Sequence, residues 1–299
     1  MKIRNPKSEI RNDSMVRLGL LQHACGPDKR KNVATTLRLI ADAARQGAQI
    51  IATQELFANT YFCQVQDPSR FALAEPIPGP TSQKLCAAAR KHKVELTASL
   101  FEQRAPGLYH NTSIMINPAG KIVGKYRKMH IPDDPRFYEK YYFTPGDLGF
   151  TTQSMRQATT GMLVCWDQWY PEAARLTALA GAQILFYPTA IGWYHLEKPA
   201  DRRQQKEAWQ TIQRAHAIAN GVFVAAINRI GVEDDLEFWG SSFIADPGGV
   251  IIAEAPAAEE CVLIADCDLD RIKHIRHGWP FLRDRRIDAY GPITRRFLD

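Results

Sequence analysis

The sequence has no run of about 18 apolar residues, so nothing in it is long enough to serve as a transmembrane helix. Its first 14 residues lack the apolar core of a signal peptide. They are polar and lead into Met15, which directly precedes a strand-like run. Residues 1–14 are therefore expected to be a flexible extension, with Met15 as the alternative start. Cysteine is sparse: six residues (25, 63, 86, 165, 261, 267) are scattered and form no Cys-x-x-Cys pair. That excludes a disulfide scaffold and argues against structural zinc. Without an export signal it predicts reduced thiols in the cytoplasm. Positive charge is missing from the body of the chain. Residues 1–14 carry +2 and residues 271–299 carry +5, so with a total of +6 the 256 residues between them carry −1. A nucleic-acid binder spreads basic side chains over a folded face, so neither nucleic acid nor membrane is expected as a partner. No linker rich in Pro, Gly or Ser divides the chain. One domain is expected over 15–270, followed by a basic tail, 271–299.

What is present is globular. Hydrophobic residues make up 45% of the 299, aromatics 10% and charged residues 23%. Val16–Leu21, Ile50–Thr53, Val94–Phe101, Thr160–Cys165, Ile184–Tyr187 and Val222–Ile227 read as buried strands. Asn32–Gln46 has a helical apolar stripe that Gly47 ends. Thr81 suits the N-cap of a helix carrying Leu85, Ala88 and Ala89. Pro171 opens a helix over Glu172–Ala180, and Glu207–Asn220 is helical up to Gly221. Thr112–Asn117 and Ile122–Tyr126 flank a turn, and Asp246-Pro247-Gly248-Gly249 is a second hairpin turn. Gly-Ala-Gln-Ile follows a helix and opens a strand twice, at 47–50 and 181–184. This is either an echo of two related α/β halves or a coincidence of two common junctions. Alternating helices and strands, then frequent hairpins, indicate sheets covered by helices: an α/β (α+β) fold.

Four residues carry chemistry. Cys165 ends a strand and precedes a turn into a Pro-started helix, where the helix dipole favours a thiolate and the Trp166 N–H can face an oxyanion. The alternative is a packing cysteine. Glu55 follows the apolar Ile50–Thr53, where partial desolvation would suit it to accept a thiol proton; the alternative is a solvated strand end. Lys128, in Tyr-Arg-Lys-Met-His, and Glu139, in Phe-Tyr-Glu-Lys-Tyr, read by themselves as surface residues.

Glu55-Leu56-Phe57, then Tyr126-Arg127-Lys128-Met129-His130, then Cys165-Trp166-Asp167, in this order, resemble the nitrilase superfamily of carbon–nitrogen hydrolases. Phe143-Thr144-Pro145-Gly146-Asp147 and Tyr187-Pro188-Thr189-Ala190 add to the resemblance, which runs from about Val16 to Asp270. It implies a four-layer α-β-β-α sandwich that pairs into homodimers or larger homo-oligomers, and a site without metal or organic cofactor. It implies roles for Cys165 as nucleophile, Glu55 as general base, Lys128 as oxyanion stabiliser and Glu139 as its supporting carboxylate. It also assigns the C-terminal tail, with Trp279, Pro280 and Phe281, to the subunit interface.

The stretch Cys165–Glu172, with Pro188–Gly192 and Asn228–Gly231, looks like the branch of that family acting on N-carbamoylputrescine. No basic residue occurs between Cys165 and Arg175, so a small amide or carbamoyl substrate with a neutral or cationic tail is expected over an anionic one. Asp167 either contributes to that preference or serves a turn or salt bridge. The chain departs from the branch after Gly192, reading Trp193-Tyr194-His195-Leu196-Glu197. Glu197 is the candidate grip on a distal ammonium. Tyr61, Trp166, Asp167, Thr189, Ala190 and Glu197 form the expected substrate-binding set. The alternatives are another amide, nitrile or carbamoyl amino acid as substrate, or a non-catalytic scaffold of the same fold.

Overall fold

The computed structural model describes residues 14–298; the expected extension, apart from Ser14, lies outside the described residues. The first half runs β1 (Met15–Gln22), α1 (Lys29–Arg45), β2 (Ile50–Thr53), α2 (Pro80–His92), β3 (Glu95–Ala105), β4 (Leu108–Ile116) and β5 (Ile122–Arg127). The second runs β6 (Thr152–Ser154), β7 (Thr159–Met162), α3 (Pro171–Leu179), β8 (Ile184–Pro188), β9 (Gly192–Tyr194), α4 (Pro199–Asn220) and β10 (Phe223–Ile227). It continues with β11 (Ile230–Glu233), β12 (Leu236–Trp239), β13 (Phe243–Ala245), β14 (Ile251–Glu254), β15 (Cys261–Asp268) and α5 (Asp270–Gly278).

Among the described residues the strands form two six-stranded sheets, ordered β15-β1-β2-β3-β4-β5 and β14-β13-β10-β8-β7-β6, and a small sheet β11-β12-β9. In each large sheet three central strands are parallel, β1-β2-β3 and β7-β8-β10, with antiparallel strands outside them. Alternation along the strands builds the layers. Leu18, Leu20, Ile50 and Ala52 meet Ile184, Phe186, Phe223 and Ala225 between the sheets. Ile51, Leu96 and Ala98 face α1 and α2, while Leu185, Tyr187 and Val224 face α3 and α4. The result is the α-β-β-α sandwich. The two Gly-Ala-Gln-Ile junctions lead into β2 and β8, and both glycines, Gly47 and Gly181, have φ in the left-handed region.

Several local expectations change. Gly79, not Thr81, caps α2, and Ser82 Oγ accepts the Gly79 N–H. α4 begins at Pro199, eight residues before the expected start at Glu207. Its first two turns are polar and show no apolar stripe. β4 begins at Leu108, four residues before the expected start at Thr112, so His110 and Asn111 are strand residues. Cys165 lies beyond the end of β7 and opens a single 3-10 turn, Cys165–Trp169, with φ +42.

Candidate active site

The carboxyl ends of β2 and β8 open into the space between the sheets, the usual place for a site beside parallel strands. Lys128, one residue past β5, is fully buried. Its Nζ donates to Glu55 Oε1 at 2.9 Å and to Glu139 Oε2 at 2.6 Å. Glu55 sits two residues past β2, and Glu139 opens a 3-10 turn; both are fully buried, so neither is the surface carboxylate its local sequence suggests. Tyr61 is buried behind them, and its hydroxyl donates to Glu139 Oε1 at 2.7 Å. Asn111 Nδ2 donates to Glu55 Oε1 at 2.7 Å. Glu55 Oε2 is buried and has no hydrogen-bond partner among the described residues.

The charge balance follows from this packing. Burial alone would push the Lys128 ammonium down, but Glu139, Glu55 and Cys165 outweigh it and hold the pKa well above the ordinary lysine value. Burial raises the Glu139 carboxyl to about 7 against the pull of Lys128. Burial also pushes the Cys165 thiol well up, and Glu55 pushes it further than Lys128 draws it back. Burial and Glu55 thus act against the thiolate that a helix dipole would favour, and Lys128 acts for it. The same balance places Cys165 in the field of Lys128, Glu55 and Glu139, with the Ala190 N–H able to donate to its sulfur.

Glu55 is held by its backbone as well. Buried Arg229 donates through Nη2 to Glu55 O (2.7 Å) and through Nη1 to Glu233 Oε1 (2.8 Å). Glu233 Oε2 accepts the Tyr61 N–H at 2.5 Å. One ion pair thus clamps the segment carrying both Glu55 and Tyr61, including Leu56 at φ +48.

Cys165 lies on the wall of an open cavity of about 710 Å³. Trp166, Ala190 and Glu197 line it, together with Asp134, Phe137, Tyr194, Asp201 and Gln204. Among the described residues the lining holds three acids and no basic side chain. Glu197 Oε2 is buried there without a hydrogen-bond partner among the described residues.

Three expected substrate contacts, Asp167, Thr189 and Tyr61, are not brought to the cavity. Asp167 is fully buried in the structure: its oxygens accept Val164 N, Tyr126 OH, His130 N and the His130 ring. It serves the turn and leaves no oxygen for a substrate. Thr189 turns its hydroxyl to Tyr187 O at 3.0 Å, and its carbonyl accepts the Glu55 N–H at 3.4 Å. Tyr61 reaches the site only through Glu139.

Sequence reading missed Asn111, Ser99, Arg229 and Glu233, as well as the cavity acids Asp134 and Asp201. A signal was present for the first two. The inward positions of β3 and β4 are polar and fully buried (Thr97, Ser99, Asn111, Ser113), where a structural core would place apolar residues.

The pattern of the family described as carbon-nitrogen hydrolase matches residues 17–277. An N-carbamoylputrescine amidase of Solanum lycopersicum is 45% identical over 285 residues, which cover 92% of this chain and 94% of that protein. A citrullinase of Francisella tularensis is 40% identical, with 94% and 99% covered. The crystal structure of a carbon-nitrogen hydrolase from Helicobacter pylori superposes with a TM-score of 0.93 at 46% identity, covering 95% of this chain and all of that one.

Proposed function

The chain belongs to the carbon–nitrogen hydrolase family and is an amidohydrolase; from that premise we propose that it cleaves N-carbamoylputrescine to putrescine, carbon dioxide and ammonia through a covalent intermediate on Cys165. The observation that carries the substrate choice is the cavity wall. Asp134, Glu197 and Asp201 line it, no basic residue does so among the described residues, and a Glu197 oxygen is left unpartnered. Such a wall suits an ammonium-bearing chain and repels a carboxylate. The acidic preference expected of Asp167 comes instead from these three residues.

The site supports the following course. Glu55 takes the Cys165 proton, and the sulfur attacks the ureido carbon. The Lys128 ammonium and the Trp166 N–H hold the resulting oxyanion, each such donor being worth roughly 3–4 kcal/mol. Glu55 returns the proton to the departing nitrogen, leaving a thioester. Water, giving a proton to Glu55, then cleaves the thioester, Glu55 returns that proton to the departing Cys165 sulfur, and the released carbamic acid splits into carbon dioxide and ammonia. Glu139, held by Tyr61, keeps Lys128 charged.

We place the enzyme in the cytoplasm, where its six unpaired cysteines stay reduced. We assign residues 271–299 to contacts between subunits of a homodimer or larger assembly.

The test is ammonia release from N-carbamoylputrescine, citrulline and N-carbamoyl-β-alanine at equal concentration. N-carbamoylputrescine should be preferred at least tenfold in kcat/KM, and Cys165→Ala should lose turnover while keeping its Tm. Preference for either carboxylate-bearing substrate would overturn the substrate reading, and an active Cys165→Ala the nucleophile.

A further inference from the structure

Glu55 has two carboxylate oxygens, and the structure treats them differently. Oε1 accepts from Lys128 Nζ at 2.9 Å and from Asn111 Nδ2 at 2.7 Å. Oε2 is equally buried and has no hydrogen-bond partner among the described residues. A buried carboxylate oxygen left without a donor is costly, and such an exception in an otherwise bonded site calls for a reason.

The asymmetry is imposed by a directed chain of hydrogen bonds. The Leu56 N–H donates to Ser99 Oγ at 3.2 Å. The Ser99 hydroxyl accepts there through one of its two lone pairs and donates its proton to Asn111 Oδ1 at 2.9 Å. Asn111 thus presents its side-chain oxygen to Ser99 and its NH2 to Glu55. Turned over, the amide would set an oxygen against a carboxylate. The chain starts on the amide next to Glu55 and ends on the Glu55 carboxylate. The same residue also holds the other partner through the main chain, because the Asn111 backbone carbonyl accepts the Lys128 backbone N–H at 2.9 Å. Its neighbours in sequence do other work: His110 bonds Thr144 O, and Thr112 bonds Glu102.

We propose that Asn111, oriented by Ser99, is a positioning residue for the base: with Lys128 it saturates Oε1 of Glu55 and so leaves Oε2 as the one acceptor for the Cys165 proton. This rests on the reading of Glu55 as base. It carries no charge into the site, which separates its role from those of Lys128 and Glu139. Loss of its N–H withdraws a donor from the charged form of Glu55 and frees the carboxylate to turn. Both effects leave less of Glu55 charged and aligned to take a proton in thioester formation and in thioester hydrolysis, and neither touches the substrate tail.

The experiment follows alkylation of Cys165 by iodoacetamide against pH, with mass spectrometry of the Cys165 peptide, beside kcat and KM for N-carbamoylputrescine. In alkylation the sulfur displaces iodide, a C–S bond forms and the thiol proton goes to Glu55, so no natural substrate is needed. In Asn111→Leu the acid limb of alkylation should move up by about one pH unit and kcat should fall roughly 10- to 100-fold, with KM within about twofold. Ser99→Ala, a small change in a buried strand, should move the limb the same way by less. An unmoved limb in folded Asn111→Leu overturns the proposal. If that variant does not fold, an unmoved limb in Ser99→Ala does so. Glu55→Gln serves as the reference. A limb that survives it removes Glu55 as base, and the proposal with it, whereas a limb lost there but unmoved in the Asn111 and Ser99 variants overturns the role of Asn111 alone.

Discussion

At Glu139 two requirements oppose each other. Lys128 needs a counter-charge, but full burial raises the Glu139 carboxyl to about 7. The folded value exceeds the ordinary 4.5, so this group contributes its stability below pH 4.5 and loses it as pH rises through about 7. The carboxylate that the chemistry wants is thus the form that folding disfavours. Tyr61 helps through its donated hydrogen bond, and its own hydroxyl, pushed well up by burial, stays protonated. Tyr61→Phe should raise the apparent pKa of the cluster, so the acid limb of kcat/KM for ammonia release should move to higher pH, by about half a unit or more. A profile identical to that of the parent would show that Tyr61 only fills space.

Two elements hold the catalytic residues in place, and each offers a separate test. β3 and β5 flank β4 and are tied across it by Glu102, which accepts from Arg127 Nε at 2.8 Å and Nη2 at 3.0 Å. Burial would raise the Glu102 carboxyl, but Arg127, Thr112 and Lys125 outweigh it and hold it at about 2. A carboxyl depressed from 4.5 stabilises the fold above about pH 4.5 and loses that contribution as pH falls toward 2. Glu102→Gln should cost on the order of 3 kcal/mol at neutral pH and flatten the acid side of the stability curve, as read by denaturant melts from pH 7 to 3. On the other half, Gly161 of β7 lets α3 lie close. A Cβ there would collide with Thr177 Cγ2 and crowd Leu185. Thr177 is buried and β-branched, so it has little room to turn. Gly161→Ala should cost roughly 1–3 kcal/mol, and adding Thr177→Ser, which removes Cγ2 but keeps the hydroxyl, should recover much of that. Additive losses in the double variant would contradict this packing account.

Across the whole molecule the apolar surface is unevenly placed. The tail exposes Trp279, Phe281, Ile293 and Phe297, and α3 exposes Leu176 and Leu179 at 48% and 45%. Arg175 of α3 lies within electrostatic reach of Arg285 and Tyr290 of the tail. If the tail lies at a subunit interface, as proposed above, these exposed apolar side chains are the ones a second subunit would cover. Leu176→Glu with Leu179→Glu places charges where a lone subunit tolerates them. Light scattering should find the parent as a dimer or larger and the double variant at lower mass. An unchanged mass would assign the face elsewhere.

The sequence by itself determined the layered α/β class and the strands beyond whose ends Glu55, Lys128 and Cys165 stand, and it offered those three as site residues through the order of their motifs. Each lies in a short local motif at the end of an apolar run, and local patterns survive in one dimension. It did not determine α4 back to Pro199, because a polar helical turn has no stripe to read, nor Asn111 as a strand residue. It left Asp167 open between substrate and turn; the structure closes that choice, because three neighbours consume the carboxylate. Only the tertiary structure decided which oxygen of Glu55 is free, that Arg229 and Glu233 clamp its segment, and that the cavity's acids are Asp134, Glu197 and Asp201. The physical reason is distance along the chain. Glu55 meets Asn111 and Lys128 across 56 and 73 residues once the strands of the first sheet have paired, and Arg229 across 174 once the second sheet has packed against the first.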